Sequence, residues 1–122
     1  MSRRYDFKDS SGNTVIPVAD DSFYTDLMSV TPDEIDVYFA FYSDSSGETP
    51  VSPTSGTIST HGEYLDGFFL AASTNATINA SEVTTPDGIY TPPSIFGCSI
   101  RARIDLLNVD APYMRAFAYK RN

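Results

Sequence analysis

The chain has one cysteine, one histidine and no tryptophan among its 122 residues. A single cysteine cannot form an internal disulfide, so we interpret Cys98 as a small core residue of a protein that folds in a reducing cytoplasm. A single histidine, His61, excludes a metal site built from several histidines, and one cysteine excludes a cysteine-rich zinc site. The residues around His61 match no nucleophile motif. We therefore expect a protein without catalytic activity, metal or cofactor.

Long apolar runs are also missing from the sequence. No segment approaches the ~20 apolar residues that a membrane-spanning helix needs. The first eight residues, MSRRYDFK, carry no apolar stretch after their basic pair, so they do not resemble a secretory signal. We expect the chain to be made in the cytoplasm and to have no membrane partner.

Basic residues are absent between positions 9 and 100, which hold 13 of the 16 Asp and Glu residues. All eight Lys and Arg residues lie outside this acidic body, and the net charge is −8. An acidic body argues against nucleic-acid binding. The basic ends can pair with acidic surfaces of the same chain or of neighbouring copies, although ordinary solubilising charge explains the pattern equally well.

Alternation of apolar and polar residues is clearest near the end of the sequence. In the segment SIRARIDL, residues 99–106, apolar side chains alternate with charged ones, as in a half-buried strand. Residues 113–121 alternate in the same way, with three aromatic residues and two arginines on one face. The two segments predict a terminal β-hairpin or two neighbouring strands of a sandwich.

Shorter strand patterns fill the rest of the chain. Residues 35–42 alternate strongly, Pro17 marks an edge strand, and residues 20–28 fit either a short helix or a strand. Further strands are predicted at 57–62, 67–71 and 76–80. About seven or eight short strands separated by turns predict an all-β fold, a small antiparallel β-sandwich of the jelly-roll or immunoglobulin-like kind. We assign residues 1–13 to an N-terminal arm and residues 14–122 to the sandwich domain.

Few side chains suggest a specific chemistry. Clustered carboxylates at 20–21 and 33–36 suit calcium better than catalysis, but a solvated acidic loop explains them more simply. The tyrosines fit three interpretations: a protein interface, a sugar platform, or half-buried sheet positions. The six tyrosines in question are Tyr38, Tyr42, Tyr64, Tyr90, Tyr113 and Tyr119.

Two segments carry a resemblance to known proteins. TPVSPTSGTI at 49–58 resembles loop-to-strand openings in bacteriophage structural proteins, as does PPSIFG at 92–97 leading into SIRAR at 99–103. The resemblance implies a capsid decoration or cement protein, often trimeric, or a tail or baseplate accessory protein. It also implies that the basic residues at both ends contact acidic surfaces of neighbouring subunits, where many weak contacts add together. These residues are Arg3, Arg4, Lys8, Arg101, Arg103, Arg115, Lys120 and Arg121.

We therefore predict a non-enzymatic structural protein of the virion, with a capsid decoration role ahead of a tail role. Its partners would be major capsid or tail subunits and further copies of the chain, for example in a trimer. The alternative from another class is a glycan-binding β-sandwich module. Exposed tyrosines near Asp or Asn in one concavity would favour the glycan-binding module, and a flat interface extended by an arm would favour the virion protein.

Overall fold

The computed structural model describes residues 3–27, 35–63, 69–71, 77–83 and 101–120. These ranges contain β-strands, all paired antiparallel, and a single 3-10 turn at Ala80–Glu82, with no α-helix among them. The all-β prediction is confirmed. The strands are β1 (Arg3–Lys8), β2 (Ile16–Pro17), β3 (Ser22–Thr25), β4 (Ile35–Tyr42), β5 (Thr57–Glu63), β6 (Phe69–Ala71), β7 (Thr77–Asn79), β8 (Arg101–Leu107) and β9 (Tyr113–Lys120).

Strand β1 joins the two halves of the sandwich. The strand order is β2-β9-β1-β3-β8-β5-β6, with β4 also paired to β9 and β7 also paired to β5. Residues 3–6 of β1 pair with β9, whereas Phe7 and Lys8 pair with β3. We call the strands around β9 (β2, β4 and residues 3–6) the β9 half, and the strands around β8 (β3, β5, β6, β7 and residues 7–8) the β8 half.

One hydrophobic core lies between the halves. Phe39 and Phe41 of β4 are fully buried in the same cluster as Ile104 and Leu106 of β8. Burying a large apolar side chain of this kind contributes roughly 1.5–3 kcal/mol. The dry face predicted for β8 is confirmed, because Ala102, Ile104 and Leu106 are buried. The alternation predicted for β9 is seen as burial of every second residue, and in β4 only Ala40 departs from it.

Residues 3–8 form a strand, and the prediction of an arm over 1–13 is corrected for them. Tyr5 and Phe7 are 7% and 0% exposed and belong to the core. The segment looked polar because its charged residues alternate with these two aromatic ones, which is itself a strand pattern. The turn that follows is held by Asp9, whose carboxylate accepts hydrogen bonds from the backbone N–H groups of Ser11 and Asn13.

Strands β8 and β9 neither form a hairpin nor lie next to each other, because β1 and β3 stand between them in the strand order, which corrects both predicted arrangements. β8 pairs with β3 and β5, and β9 pairs with β1, β2 and β4. Each strand has one dry face, and placing the strands in opposite halves buries both dry faces in one core. Their connection is fixed by Asp110, which accepts hydrogen bonds from Thr54 and from the backbone N–H of Ser55.

The other strand predictions have clear outcomes. β2 ends the strand order, as expected for a strand that contains Pro17. Residues 20–28, which fitted a helix or a strand, contain β3. The segments predicted at 67–71 and 76–80 contain β6 and β7, and the segment predicted at 57–62 coincides with β5 except for Glu63.

Several predictions fall outside the described residues: those on Tyr64, Tyr90, Cys98, Arg121 and the segment 92–100. Within the described ranges, no helix has the length and apolar character needed to cross a membrane.

Candidate functional site

Four of the six candidate tyrosines lie together on the outer face of the β9 half. β4 and β9 pair along their whole length, with Tyr42 opposite Tyr113 and Tyr38 opposite Phe117. Tyr119 follows two residues further along β9, and all five side chains are half-buried. We call these five residues the aromatic strip. Its members share a face because each strand points alternate side chains outward.

Three rings of the strip pack against one another. The rings of Tyr38 and Phe117 are stacked, with centroids 5.3 Å apart and planes inclined by 19°. Tyr119 meets both rings edge-on, at 5.8 Å from Tyr38 and 5.6 Å from Phe117. These offset and edge-to-face geometries are the favourable ones for aromatic pairs. The rings are therefore held in place before any ligand arrives.

Arg4 borders the strip from β1. Its guanidinium carbon lies 4.3 Å from the centre of the Phe117 ring, a cation–π distance. The same guanidinium contacts the Asp6 carboxylate at 2.9 Å. The strip thus combines ring surface, tyrosine hydroxyls and a fixed ion pair on one sheet face.

The strip is long and narrow. Residues 36–42 of β4 and 113–119 of β9 run side by side, and six steps of a strand cover about 20 Å. Two strands lie about 5 Å apart, so the strip is much longer than it is wide. A surface of this shape suits a chain-like ligand better than a compact one.

The outer face of the β8 half is polar instead of aromatic. At its centre, Asp105 accepts a 2.6 Å hydrogen bond from the Ser22 hydroxyl across β3 and β8. Arg103 lies 3.3 Å from the same carboxylate. The guanidinium of Arg101 covers the ring of Tyr24 at 4.1 Å. The groups of this face are thus engaged with each other.

His61 does not complete a catalytic triad in this cluster. Its Nδ1 lies 3.8 Å from Asp105 Oδ2, longer than a hydrogen bond, and Ser22 donates to the carboxylate. A triad needs the serine to donate to the histidine. Burial lowers the pKa of His61 from its usual 6.5, Arg103 lowers it further, and Asp105 opposes the shift.

A polar groove of about 520 Å³ lies beside this face, between β1, β3 and the loop after β1. Lys8 in its wall is paired with Asp26 at 3.0 Å. Asp21, also in the wall, accepts a 2.7 Å hydrogen bond from the Ser22 N–H. The charged groups of the groove are thus used within the chain, and its aromatic lining consists of the buried Phe23 and the half-buried Tyr24.

The first acidic cluster contributes hydrogen bonds to the fold. Asp20 accepts a 2.7 Å hydrogen bond from the backbone N–H of Asn108, which joins the loop before β3 to the end of β8. Among the described residues, no group of three or more His, Cys, Asp or Glu side chains is placed to hold an ion. Asp33 and Glu34 of the second cluster lie outside those residues.

Comparison with known proteins finds similar chains among the solved structures. No protein-family model and no curated protein matches the chain. Among solved structures, a carbohydrate-binding module of family CBM28, described as specific for non-crystalline cellulose, matches with 15% sequence identity and a TM-score of 0.40. The match covers 97% of this chain and 71% of that one. A TM-score of this size supports no statement about the ligand of this chain.

The eight predicted partner-binding residues do not form one surface. Arg4 and Arg115 lie on the outer face of the β9 half, while Arg101 and Arg103 lie on the opposite face of the sandwich. Lys8 lies beside Tyr24 at the groove. The backbones of Arg3 and Lys120 pair with each other, and Arg121 is outside the described residues.

The sequence identified most members of the aromatic strip but not their arrangement. The alternation of residues 113–121 placed Phe117 on the tyrosine face, which is correct. The pairing of β4 with β9 brings together residues more than 70 positions apart in the sequence. No local pattern specifies such a pairing.

Proposed function

We propose that this chain is a non-catalytic binding module and that its ligand is a polysaccharide lying along the aromatic strip. The observation that supports this function best is the register of β4 and β9, which aligns five aromatic residues on one sheet face. Sugar rings have apolar faces that pack on aromatic side chains, and their hydroxyls suit the tyrosine hydroxyls and the Arg4–Asp6 pair.

The strip favours a saccharide over an extended peptide. Peptides commonly bind to sheets by pairing with a free edge, where backbone N–H and C=O groups are open. The strip lies on a face, and β9 is paired on both sides, with β4 along one edge and β1 and β2 along the other. A peptide lying there would leave its backbone groups without partners. Saccharide hydroxyls can use side chains and water instead.

The strip is also prepared for binding. The mutual packing of Tyr38, Phe117 and Tyr119, and the pairing of Arg4 with Asp6, restrict these side chains in the free protein. Ordering a mobile side chain costs roughly 0.5–1.5 kcal/mol on association. A surface whose side chains are already ordered avoids much of that cost.

A polysaccharide panel tests the proposal. We expect the purified chain to be retarded in native gels that contain at least one soluble polysaccharide. Tyr119→Ala should weaken that binding about tenfold or more, because it removes a ring from the strip. Tyr24→Ala is the matched control, since it removes a tyrosine from the opposite face. No retardation by any polysaccharide, or equal losses in both variants, would contradict the proposal.

The virion role stays a prediction, and one observation favours it as a second candidate. Tyrosine and arginine are enriched at protein interfaces, and the aromatic strip with Arg4 and Arg115 has that composition. In this case the strip would contact a capsid or tail subunit or another copy of the chain. The arm that was expected to extend the interface is strand β1 over residues 3–8.

Light scattering at low and high salt separates the two candidates. A trimer or larger species that Tyr119→Ala dissociates would favour the assembly role. A monomer at every salt concentration, together with retardation by a polysaccharide, would favour the binding module.

A further inference from the structure

Arg115 occupies a distinct position within the aromatic strip. It stands opposite Ala40 in the β4–β9 pairing. The pairs on either side of it are aromatic: Tyr38 with Phe117, and Tyr42 with Tyr113. The strip is therefore two aromatic pairs separated by one pair that joins a small residue to a cation.

On the edge of β9 away from β4, the described strands place no residue directly opposite Arg115. β1 and β2 pair with β9 on either side of it, through Phe117 and Met114, and neither places a residue opposite Arg115. Across the strand it faces only the methyl group of Ala40, which is 2% exposed although it lies on the outer face.

Arg115 also differs from the other described basic side chains. Arg4 is paired with Asp6, Lys8 with Asp26, Arg103 with Asp105, and Arg101 covers Tyr24. Among the basic residues whose side chains the structure describes, a set that leaves out Arg3 and Lys120, Arg115 is the one for which no such internal contact is found. As a residue it is half-buried, and its register position lies between two aromatic pairs in a protein of net charge −8. An arginine without a carboxylate partner can bind an external anion.

We infer that Arg115 binds a carboxylate of the ligand, so that the polysaccharide is an acidic one built from uronic acid units. This inference rests on the proposed function and specifies its ligand. The planar guanidinium binds a carboxylate through two parallel hydrogen bonds. The aromatic pairs on either side lie two residues away along each strand, about 7 Å in each direction, and pack against the sugar rings that flank the charged unit.

Polygalacturonate and its carboxyl-reduced, neutral form are the probes. We expect the wild-type chain to bind polygalacturonate about tenfold or more tightly than the neutral form, because charge-assisted hydrogen bonds are the stronger kind. Arg115→Gln should bring the two affinities together by weakening polygalacturonate binding only. Arg115→Lys should retain part of the preference, because it keeps the charge and loses the paired geometry. Lys8→Gln is the control of equal charge change at the groove.

The outcomes separate this inference from the proposed function. Equal wild-type affinities for the two polymers, or a preference that survives in Arg115→Gln, would overturn the inference and leave the polysaccharide site intact. If Lys8→Gln loses the preference for polygalacturonate to the same extent as Arg115→Gln, the preference comes from net charge, and the inference is also overturned. If the wild-type chain binds neither polymer, the inference fails, and the wider panel decides the proposed function by itself.

Discussion

The backbone of Gly56 lies directly against the backbone of Val109. A Cβ atom added at Gly56 would be 2.5 Å from both the nitrogen and the Cα of Val109. Gly56 also has a φ of 101°, which is uncommon for residues with side chains. This contact lies beside Asp110, whose hydrogen bonds hold the connection between β8 and β9 to Thr54 and Ser55.

Gly56→Ala is therefore expected to destabilise the protein severely. The added methyl group would push the loop before β5 away from the connection between β8 and β9. Gly12→Ala is the matched control, since Gly12 also has a positive φ but has nothing within 4 Å of the added atom. The control should lose only the free energy of unfolding that a side chain at positive φ costs, about 1–2 kcal/mol. Equal losses of unfolding free energy for the two variants in urea would contradict the close contact at Gly56.

Phe7→Ala tests the assignment of the N-terminal segment to the core. Phe7 is fully buried, and truncating a buried phenylalanine costs about 3–5 kcal/mol. An arm would tolerate the change. Lys8→Ala removes only an exposed ion pair and should cost at most about 1 kcal/mol. Chemical denaturation of both variants gives the comparison, and a Phe7→Ala variant as stable as Lys8→Ala would restore the arm.

Asp110→Asn should change the acid stability of the protein. Hydrogen bonds from the Thr54 side chain, then from the backbone of Thr54 and Ser55, lower the pKa of Asp110 below its usual 3.8. A carboxyl group with a lowered pKa stabilises the fold above pH 3.8, and this contribution is lost as the pH falls through the folded-state value. The variant should melt earlier at neutral pH and lose less on acidification below about pH 4. Parallel melting curves across that range would contradict this role.

His61→Gln should flatten the pH dependence of stability near neutrality. The pKa of His61 is lowered in the folded state, so between that value and 6.5 the unfolded chain binds more protons. Stability therefore falls as the pH decreases below about 6.5. Melting temperatures between about pH 7.5 and pH 5 should decline in the wild type and change less in the variant. An identical decline in both proteins would remove His61 as its cause.

Local patterns were sufficient for the fold class but not for the strand pairing. The parity of residues 100–106 correctly predicted that Ile104 is buried, and the parity of residues 35–42 correctly placed Tyr38 and Tyr42 on one face of the strand. β1 was missed because Tyr5 and Phe7 stand among charged residues, so composition hid a correct alternation. The partners of β8 and β9 could not be predicted, since an inward face fits a hairpin and a sandwich equally well.

For the candidate site, too, local patterns predicted the residues but not the strand pairing that brings them together. The sequence listed its tyrosines and the alternation of β9, but the pairing of Ala40 with Arg115 depends on long-range register. The basic residues were grouped by their positions near the chain ends, whereas the sandwich distributes them over two opposite faces. Charge along a sequence does not report which face of a sheet a residue occupies, because neighbours in a strand point to opposite sides.

The strand order has a consequence for how the protein is made on the ribosome. β8 pairs with β3 and β5, and β9 pairs with β4, so each half of the sandwich is built around one of these two strands. β8 and β9 are also the last of the described strands to be translated. Until residue 101 is synthesised, the growing chain lacks the neighbours for most of its sheet. The growing chain up to residue 100 carries 14 Asp and Glu residues against three basic residues, Arg3, Arg4 and Lys8. A net negative charge of this size opposes association of nascent chains before the last strands close the sandwich.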